Sequence, residues 1–299
     1  MIEDAVVTEA GSDPASGYEL RETLELVELM NAADATVAGA VASASSELAA
    51  AIDAIADRML AGGRLVYVGA GSSGRIAALD ASECEATFST APGAVVALVA
   101  GGEAATPLVQ AAAEDDRHRG RDEAVALQLG AVDSIVGVSA SGATPYVLGA
   151  LDAAKHAGAL TVCVVSAGRS ELGALVDHEV AVIVGPEFLA GSTRLKAGTA
   201  QKLVLNTIST VSMIRLGKTY GNLMVDVVGA NEKLRERVRR IVAAASGAST
   251  SQVDDALADA DGDARVAIVS LLADVDAGVA RERLADSAGS IARAVERAQ

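Results

Sequence analysis

Residues 69–88 read GAGSSGRIAALDASECEATF and follow the apolar run Arg64–Val68. An apolar run, a glycine-rich turn and a stretch of helix formers predict strand, turn and helix, the unit from which parallel α/β sheets are built. Gly69, Gly71 and Gly74 are expected to let the backbone turn tightly at positive φ and approach a ligand closely. Ser72 and Ser73 add hydroxyls where the helix starts, beside free N–H groups and the positive end of the helix dipole, which makes a seat for a phosphate. The helix, expected over Ser73–Ser82, delivers Glu83 and Glu85 on either side of Cys84. A nicotinamide fingerprint has similar glycine spacing but wants an acidic residue about 20 residues on. Here Pro92-Gly93-Ala94-Val95-Val96 occupies that region, with no acid before Glu103, so a dinucleotide is not expected.

Further apolar, valine-rich runs at Ala94–Ala100, Ser134–Val138, Leu160–Val165 and Glu179–Val184 read as buried parallel strands. Helices are expected between them at Ala104–Ala113, Arg121–Leu129, Pro145–Ala157 and Glu171–Leu175. Five strands with crossover helices predict an α/β fold, a doubly wound, flavodoxin-like parallel sheet. In a 2-1-3-4-5 order its crevice opens beyond the carboxyl ends of strands 1 and 3. The loop after strand 3 fits, because Ser139-Ala140-Ser141-Gly142-Ala143-Thr144-Pro145 again places small hydroxyl residues and a glycine before a helix. Thr144 is the expected N-cap and Pro145 the first helical residue. Two such turns flanking the switch point predict phosphate binding by Gly71, Ser72, Ser73, Ser139, Ser141, Gly142 and Thr144.

The flanks are helical. The first 18 residues read as a loose arm, and Glu19–Val41 and Glu47–Leu60 carry apolar residues at helical spacing. After strand 5, Gly191-Ser192-Thr193-Arg194-Leu195-Lys196 leads into an apolar helix to about Leu216. With Ser192 or Thr193 as cap, Arg194 and Lys196 fall in its first turn, where cations oppose the dipole unless an anion sits nearby. From Asn231 short amphipathic helices are expected at Lys233–Ala245, Gln252–Ala258, Ala264–Ala273 and Ser287–Arg297. The expected division is an N-terminal arm and helix (1–46), a phosphate-binding α/β domain (47–230) and a small helical domain (231–299).

Composition narrows the function. The 299 residues suffice for one large core and a smaller domain. Aromatics are 2% of residues and tryptophan is absent, so packing must come from small aliphatic side chains. A net charge of −16 argues against a nucleic-acid surface, which needs clustered Lys and Arg. Cys84 and Cys163 make no disulfide framework, and Cys163 in its apolar strand reads as a buried thiol. His118, His156 and His178 are scattered, which speaks against a zinc site. No metal or cofactor is expected. With no signal peptide and no apolar run of 18 residues, the expectation is a cytoplasmic protein away from membranes.

Four stretches, GAGSSGRIAALDASECEATF (69–88), AGGEAATPLVQAAAEDD (100–116), SASGATPYVLGALDAAKHAGALTV (139–162) and GSTRLKAGTAQKLVLNTISTVSMIRLGKTYGNLMVDV (191–227), resemble the N-acetylmuramic acid 6-phosphate etherases. That family belongs to the sugar isomerase (SIS) superfamily and is related to the glucokinase regulatory protein. The resemblance implies a cytoplasmic homodimer acting on an amino sugar phosphate. The implied reaction uses water to turn N-acetylmuramate 6-phosphate into N-acetylglucosamine 6-phosphate and D-lactate, in recovery of cell-wall sugars. The family's two functional carboxylates match Glu83 and Glu114.

An alkyl ether resists direct hydrolysis, but in the ring-opened aldehyde the C2 hydrogen is acidic and the C3 ether oxygen lies β to the carbanion. Elimination then needs a base at C2 and an acid for the departing lactate, two carboxyl groups in different protonation states. The resemblance favours Glu83 as acid. Glu114 is assigned as base, and Glu85 competes for either role. Lys196 is the candidate for stabilising the negative charge that develops on C2 deprotonation. Three positions depart from the family pattern: Glu85-Ala86 stands for Pro-Pro, Ala143 for an arginine, and Ala10-Gly11-Ser12 for Arg-Asn-Pro. The alternatives are a non-enzymatic sugar-phosphate regulator and a related sugar-phosphate isomerase or lyase.

Overall fold

The computed structural model describes residues 17–102, 112–227 and 232–296. The chain falls into two compact units, one of Met1–Ser82 with Gly93–Ser209 and the other of Glu83–Pro92 with Thr210–Gln299.

The first unit is built on a parallel sheet of β1 (Leu65–Gly69), β2 (Val95–Val99), β3 (Ser134–Val138), β4 (Leu160–Val165) and β5 (His178–Ala181) in the order β2-β1-β3-β4-β5, as expected. Gly69 pairs with both Val99 and Val138, so three strands end level at the carboxyl edge. Strand 5 stops at Ala181, short of the expected Val184. Its neighbour among the described residues, β4, ends at Val165 opposite Ala181, and after the Val182 N–H bond to the Val165 carbonyl the ladder has run out.

The sheet is covered on both faces, which is why its central strands are unbroken apolar runs. Val66, Val68, Ile135, Cys163 and Val165 share a core with Val147 and Leu151 of the Pro145–His156 helix. A Cβ on Gly137 of β3 would lie 2.6 Å from Leu151 and 2.7 Å from Val147, so this glycine lets that helix ride close to the sheet. The helix Ser45–Leu60 buries Leu48, Ile52, Ile55 and Met59 and packs against β4 and β5. Before it come helices Thr23–Asp34 and Val37–Ser43. All but the last two residues of the expected N-terminal arm lie outside the described residues. Tyr18 begins a short 3-10 turn and stacks on Phe188, ring centroids 4.7 Å apart.

Some helix bounds differ from expectation. The helix after β1 runs Gly71–Phe88 rather than Ser73–Ser82, because no glycine or proline interrupts 75–91, so Glu83, Cys84 and Glu85 are helical. The expected Ala104–Ala113 helix lies almost wholly outside the described residues; 112–114 are helical. The next helix is Arg117–Ala126 rather than Arg121–Leu129, because the Asp116 carboxylate accepts from Arg119 N–H at 2.9 Å and starts it early.

In the second unit, Thr219–Tyr220 pairs antiparallel with Leu223–Met224, and five helices follow among the described residues: Glu232–Ser246, Thr250–Asp259, Ala264–Ala273, Ala277–Asp286 and Ile291–Glu296. Ser249, Asp263 and Asp276 cap three of them, and Val225, Val238, Ile268 and Ile291 lie in their shared core. The Ala277–Asp286 helix was not expected. The single helix expected over Ser287–Arg297 begins only at Ile291, because Ala288 (φ 51°) and Gly289 (φ 79°) turn the chain left-handed and end the preceding helix. Residues Glu83–Pro92 belong to this unit, where the Ser89 hydroxyl donates to the Asp226 carbonyl.

Candidate functional site

Three glycines organise the turn after β1, with different tasks. Gly71 alone has positive φ, at 54°. A Cβ on Gly69 would lie 2.8 Å from the Gly74 nitrogen, and one on Gly74 2.7 Å from the Gly69 oxygen. These two are glycine because strand end and helix start touch each other, which corrects the expectation of positive φ at all three. The turn leaves the first N–H groups of the helix without intrahelical acceptors, with Ser72 and Ser73 half-buried beside them. The exposed Arg75 guanidinium donates to Ser72 Oγ at 3.1 Å. Sequence reasoning passed over Arg75, although it stands directly after GSSG and puts a cation at the proposed anion seat.

The loop after β3 is a hydroxyl network. Ser139 Oγ lies 2.8 Å from Thr144 Oγ1 and 3.3 Å from Ser141 Oγ, and accepts from Gly142 N–H at 3.1 Å. Thr144 occupies the N-cap position before Pro145, as expected, but its side chain makes no cap bond. It pairs with Ser139 Oγ instead, and it favours the charged form of the neighbouring Glu114 carboxyl. Burial and the neighbouring Asp115 raise the Glu114 pKa above the usual glutamate value, and the Thr144 bond offsets part of this. The acidic run is not merely solvated, since Asp116 caps a helix and Glu114 meets the loop. Glu114, Ser139, Ser141, Gly142 and Thr144 thus form one cluster. Because Gly69 pairs with Val138, this loop and the Gly71–Ser73 turn leave adjacent strands at one edge of the sheet.

Lys196 is the first residue of the Lys196–Arg215 helix and is buried, its ammonium donating to the Val184 carbonyl at 2.6 Å. Ser192 and Thr193 do not cap this helix, and Arg194 lies in the turn before it. Glu187, 1% exposed, accepts from the N–H groups of Lys196 and Ala197 at 2.9 and 3.0 Å. The anion required near Lys196 is therefore the protein's own. No local pattern marks Glu187, because it caps from nine residues away. Gly198, in the first turn, faces Ile76 of the Gly71–Phe88 helix.

In the second unit, Glu83 and Glu85 are exposed and Cys84 is buried. Cys163 is fully buried in β4, and burial pushes its thiol up to about 12, an inert state. Among the described residues no cluster of His, Cys, Asp and Glu is fit to hold a metal.

The sheet order is that of the flavodoxin-like, doubly wound class, with hydroxyl-rich loops leaving the ends of its adjacent strands β1 and β3. Residues 47–155 match the family model of the glucokinase regulatory protein N-terminal SIS domain. The fold is similar to a phosphoheptose isomerase from Francisella tularensis (TM-score 0.53, 18% identity, 65% of this chain and 100% of that one). A putative sugar-phosphate isomerase from Listeria monocytogenes is likewise similar (TM-score 0.50, 16% identity, 66% of this chain and 91% of that one). Full-length similarity is much closer to proteins named N-acetylmuramic acid 6-phosphate etherase. The one from Streptomyces coelicolor is 53% identical over 98% of this chain and 94% of its own length. Those from Rubrobacter xylanophilus (52%; 97% and 96%) and Mycolicibacterium smegmatis (45%; 97% and 98%) follow. The chain belongs to the N-acetylmuramic acid 6-phosphate etherase family.

Proposed function

We propose that this protein is a carbon–oxygen lyase that cleaves the D-lactyl ether of N-acetylmuramate 6-phosphate in recycling of cell-wall amino sugars. Identity of about half over nearly the whole length of the relatives supports the reaction class. The observation that carries the chemistry is the half-buried Glu114 beside the hydroxyl loop, where Ser139 Oγ and Thr144 Oγ1 lie 2.8 Å apart and burial raises the carboxyl's pKa. The 6-phosphate is taken by Gly71, Ser72, Ser73, Ser139, Ser141, Gly142 and Thr144, which anchor the far end so that binding energy positions the reacting end. Glu114 removes the C2 proton of the ring-opened sugar, and a raised pKa makes it a stronger base. Lys196 stabilises the negative charge of the enolate so formed. The C3–O bond breaks as its electron pair leaves with lactate, Glu83 gives lactate its proton, and water adds across the double bond at C3 and C2. Substrate and one water become N-acetylglucosamine 6-phosphate and D-lactate.

The finer organisation follows the same reading. Residues 47–230 form the sugar-phosphate-binding domain, 1–46 the N-terminal arm and helix, and 231–299 a small helical domain. The protein acts in the cytoplasm; among the described residues no single helix is long and apolar enough to cross a membrane. It works as a homodimer: no residue of the Thr23–Asp34 helix is buried, and Leu20, Leu24 and Val27 are 87%, 69% and 50% exposed, a face a second copy would cover. Leu24→Asp should shift the sedimentation coefficient to that of a monomer, and an unchanged dimer would exclude this face.

The function is tested by incubating the purified protein with N-acetylmuramate 6-phosphate and assaying D-lactate. Glu83→Gln should abolish lactate release while C2 proton exchange with solvent persists. Loss of both would make Glu83 the base and reverse the roles. A keto-sugar product without lactate would show an isomerase, and sugar-phosphate binding without product a regulator.

A further inference from the structure

Glu114 stands three residues before the Arg117–Ala126 helix (α5), and Thr144 directly before the Pro145–His156 helix (α6). Whether carboxyl and hydroxyl meet is therefore decided by how α5 and α6 cross. The crossing is unusually tight and specified at two points. A Cβ on Gly149 of α6 would lie 2.0 Å from the Arg117 carbonyl oxygen, and a Cβ on Gly120 of α5 2.0 Å from the Tyr146 carbonyl oxygen. Each helix thus lays a glycine on the first-turn backbone of the other, at the end that carries Glu114 and Thr144. Beside these contacts the Tyr146 ring is fully buried, and its hydroxyl reaches across from α6 to donate to Glu123 Oε2 on α5. The other Glu123 oxygen accepts from Arg119 Nε at 2.7 Å, which orients the carboxylate toward the tyrosine.

We propose that Tyr146 and Glu123 are positioning residues for the reaction: their bond clasps α5 to α6 and so holds the Glu114 carboxyl against Thr144 and the hydroxyl loop. Neither residue touches the reacting atoms. Glycine contacts set how closely the helices approach, but a pair of bare backbones can slide. The hydroxyl-to-carboxylate bond fixes the slide, because its two ends belong to different helices and one end is rigid and fully enclosed. Displacement of a reacting group by about 1 Å from its productive place is enough to lower a rate by up to about a hundredfold. The inference rests on Glu114 being the C2 base.

The test is a set of variants in the full-length protein, assayed for lactate release with N-acetylmuramate 6-phosphate, with hydrogen or deuterium at C2. Tyr146→Phe keeps the buried ring and removes only the hydroxyl. It should lower kcat about tenfold, change KM less than twofold, and enlarge the C2 deuterium effect on kcat, because proton removal becomes more rate-limiting. Glu123→Ala should do the same, Glu123→Gln, which still offers an acceptor, should restore most of the rate, and Tyr146→Phe combined with Glu123→Ala should be no worse than either alone. A merely structural bond would lower thermal stability and leave kcat per folded enzyme and the isotope effect unchanged, and that result overturns the proposal. Glu114→Gln separates the two levels. If it retains the wild-type rate, the assignment of the base has failed; if it is inactive while Tyr146→Phe is fully active, only the clasp has failed.

Discussion

Gly142→Ala is the substitution whose cost the geometry of the hydroxyl loop sets most tightly. Gly142 has φ 69°, where an alanine costs roughly 1–2 kcal/mol. Its Cβ would also lie 2.3 Å from Ser170 Cβ and 3.0 Å from Ser170 Oγ, in a place where ordinary contact begins at 3.4 Å. Ser170 cannot withdraw easily, because its hydroxyl donates to Glu179 at 2.8 Å and accepts from Gly173 N–H at 2.8 Å. The loop must therefore move by about 1 Å or more, which breaks the Gly142 N–H bond to Ser139 Oγ and the Leu172 N–H bond to the Gly142 carbonyl. At about 1 kcal/mol for each bond, the total is about 3–4 kcal/mol of stability. The same motion carries Ser139 and Ser141 away from the places proposed for phosphate binding, so KM for the sugar phosphate should rise about tenfold or more. Gly71→Ala is the contrast: φ is 54° but nothing lies within 4 Å of the new Cβ, so only the backbone strain of roughly 1–2 kcal/mol applies. Urea unfolding and steady-state lactate release measure both. A Gly142→Ala protein within 1 kcal/mol of wild type and with unchanged KM would refute the reasoning.

Other perturbations follow from the buried carboxylates. Asp80, 4% exposed, accepts from Tyr67 Oη, Asn206 Nδ2 and Ser209 Oγ, so Asp80→Ala leaves three donors short of an acceptor and should cost about 3 kcal/mol in urea unfolding. The Asp133 carboxyl is held below the usual range first by its hydrogen bonds from the Arg64 side chain and then by the N–H groups of Arg64 and Gly130. A lowered folded pKa stabilises above the ordinary aspartate value and loses that stabilisation as pH falls through the folded value. Asp133→Asn should therefore be about 2 kcal/mol less stable at pH 7, with the gap closing in acid below about pH 4. Glu114 has the opposite sign: burial and Asp115 raise its pKa, so the ionised form is a burden that disappears below the ordinary glutamate value. Glu114→Gln should be inactive yet more stable than wild type at pH 7, and equal to it below about pH 4; lower stability at neutral pH would contradict the assignment of a strained carboxylate.

The sheet was legible because its signals are local and redundant: five apolar runs, the glycine turn after β1 and the Thr144-Pro145 helix start each point to the same order of strands. Boundaries failed where the capping group was not recognised, whether adjacent to the helix or remote from it. Asp116 starts its helix four residues early, and Glu187 caps the Lys196 helix from a loop nine residues away, which no window around Ser192 reveals. The Ala277–Asp286 helix was missed although Asp276 accepts from Val279 N–H at 2.9 Å, a cap visible as an aspartate before Ala-Gly-Val-Ala. At the site, the hydroxyl loop and Glu114 could be picked out by residue type, but not their union. That depends on Gly120 and Gly149 letting two helices touch, and glycines in helices give no sign from sequence of what they face.

Elimination of the ether followed by hydration of the sugar leaves an isotopic signature that direct hydrolysis at the lactyl carbon does not. The most direct test is reaction of the purified protein with N-acetylmuramate 6-phosphate in ¹⁸O-labelled water, followed by mass spectrometry of both products. Elimination and hydration place ¹⁸O at C3 of N-acetylglucosamine 6-phosphate and none on the hydroxyl of D-lactate. Label on the lactate hydroxyl, with the sugar C3 oxygen unlabelled, would contradict the account.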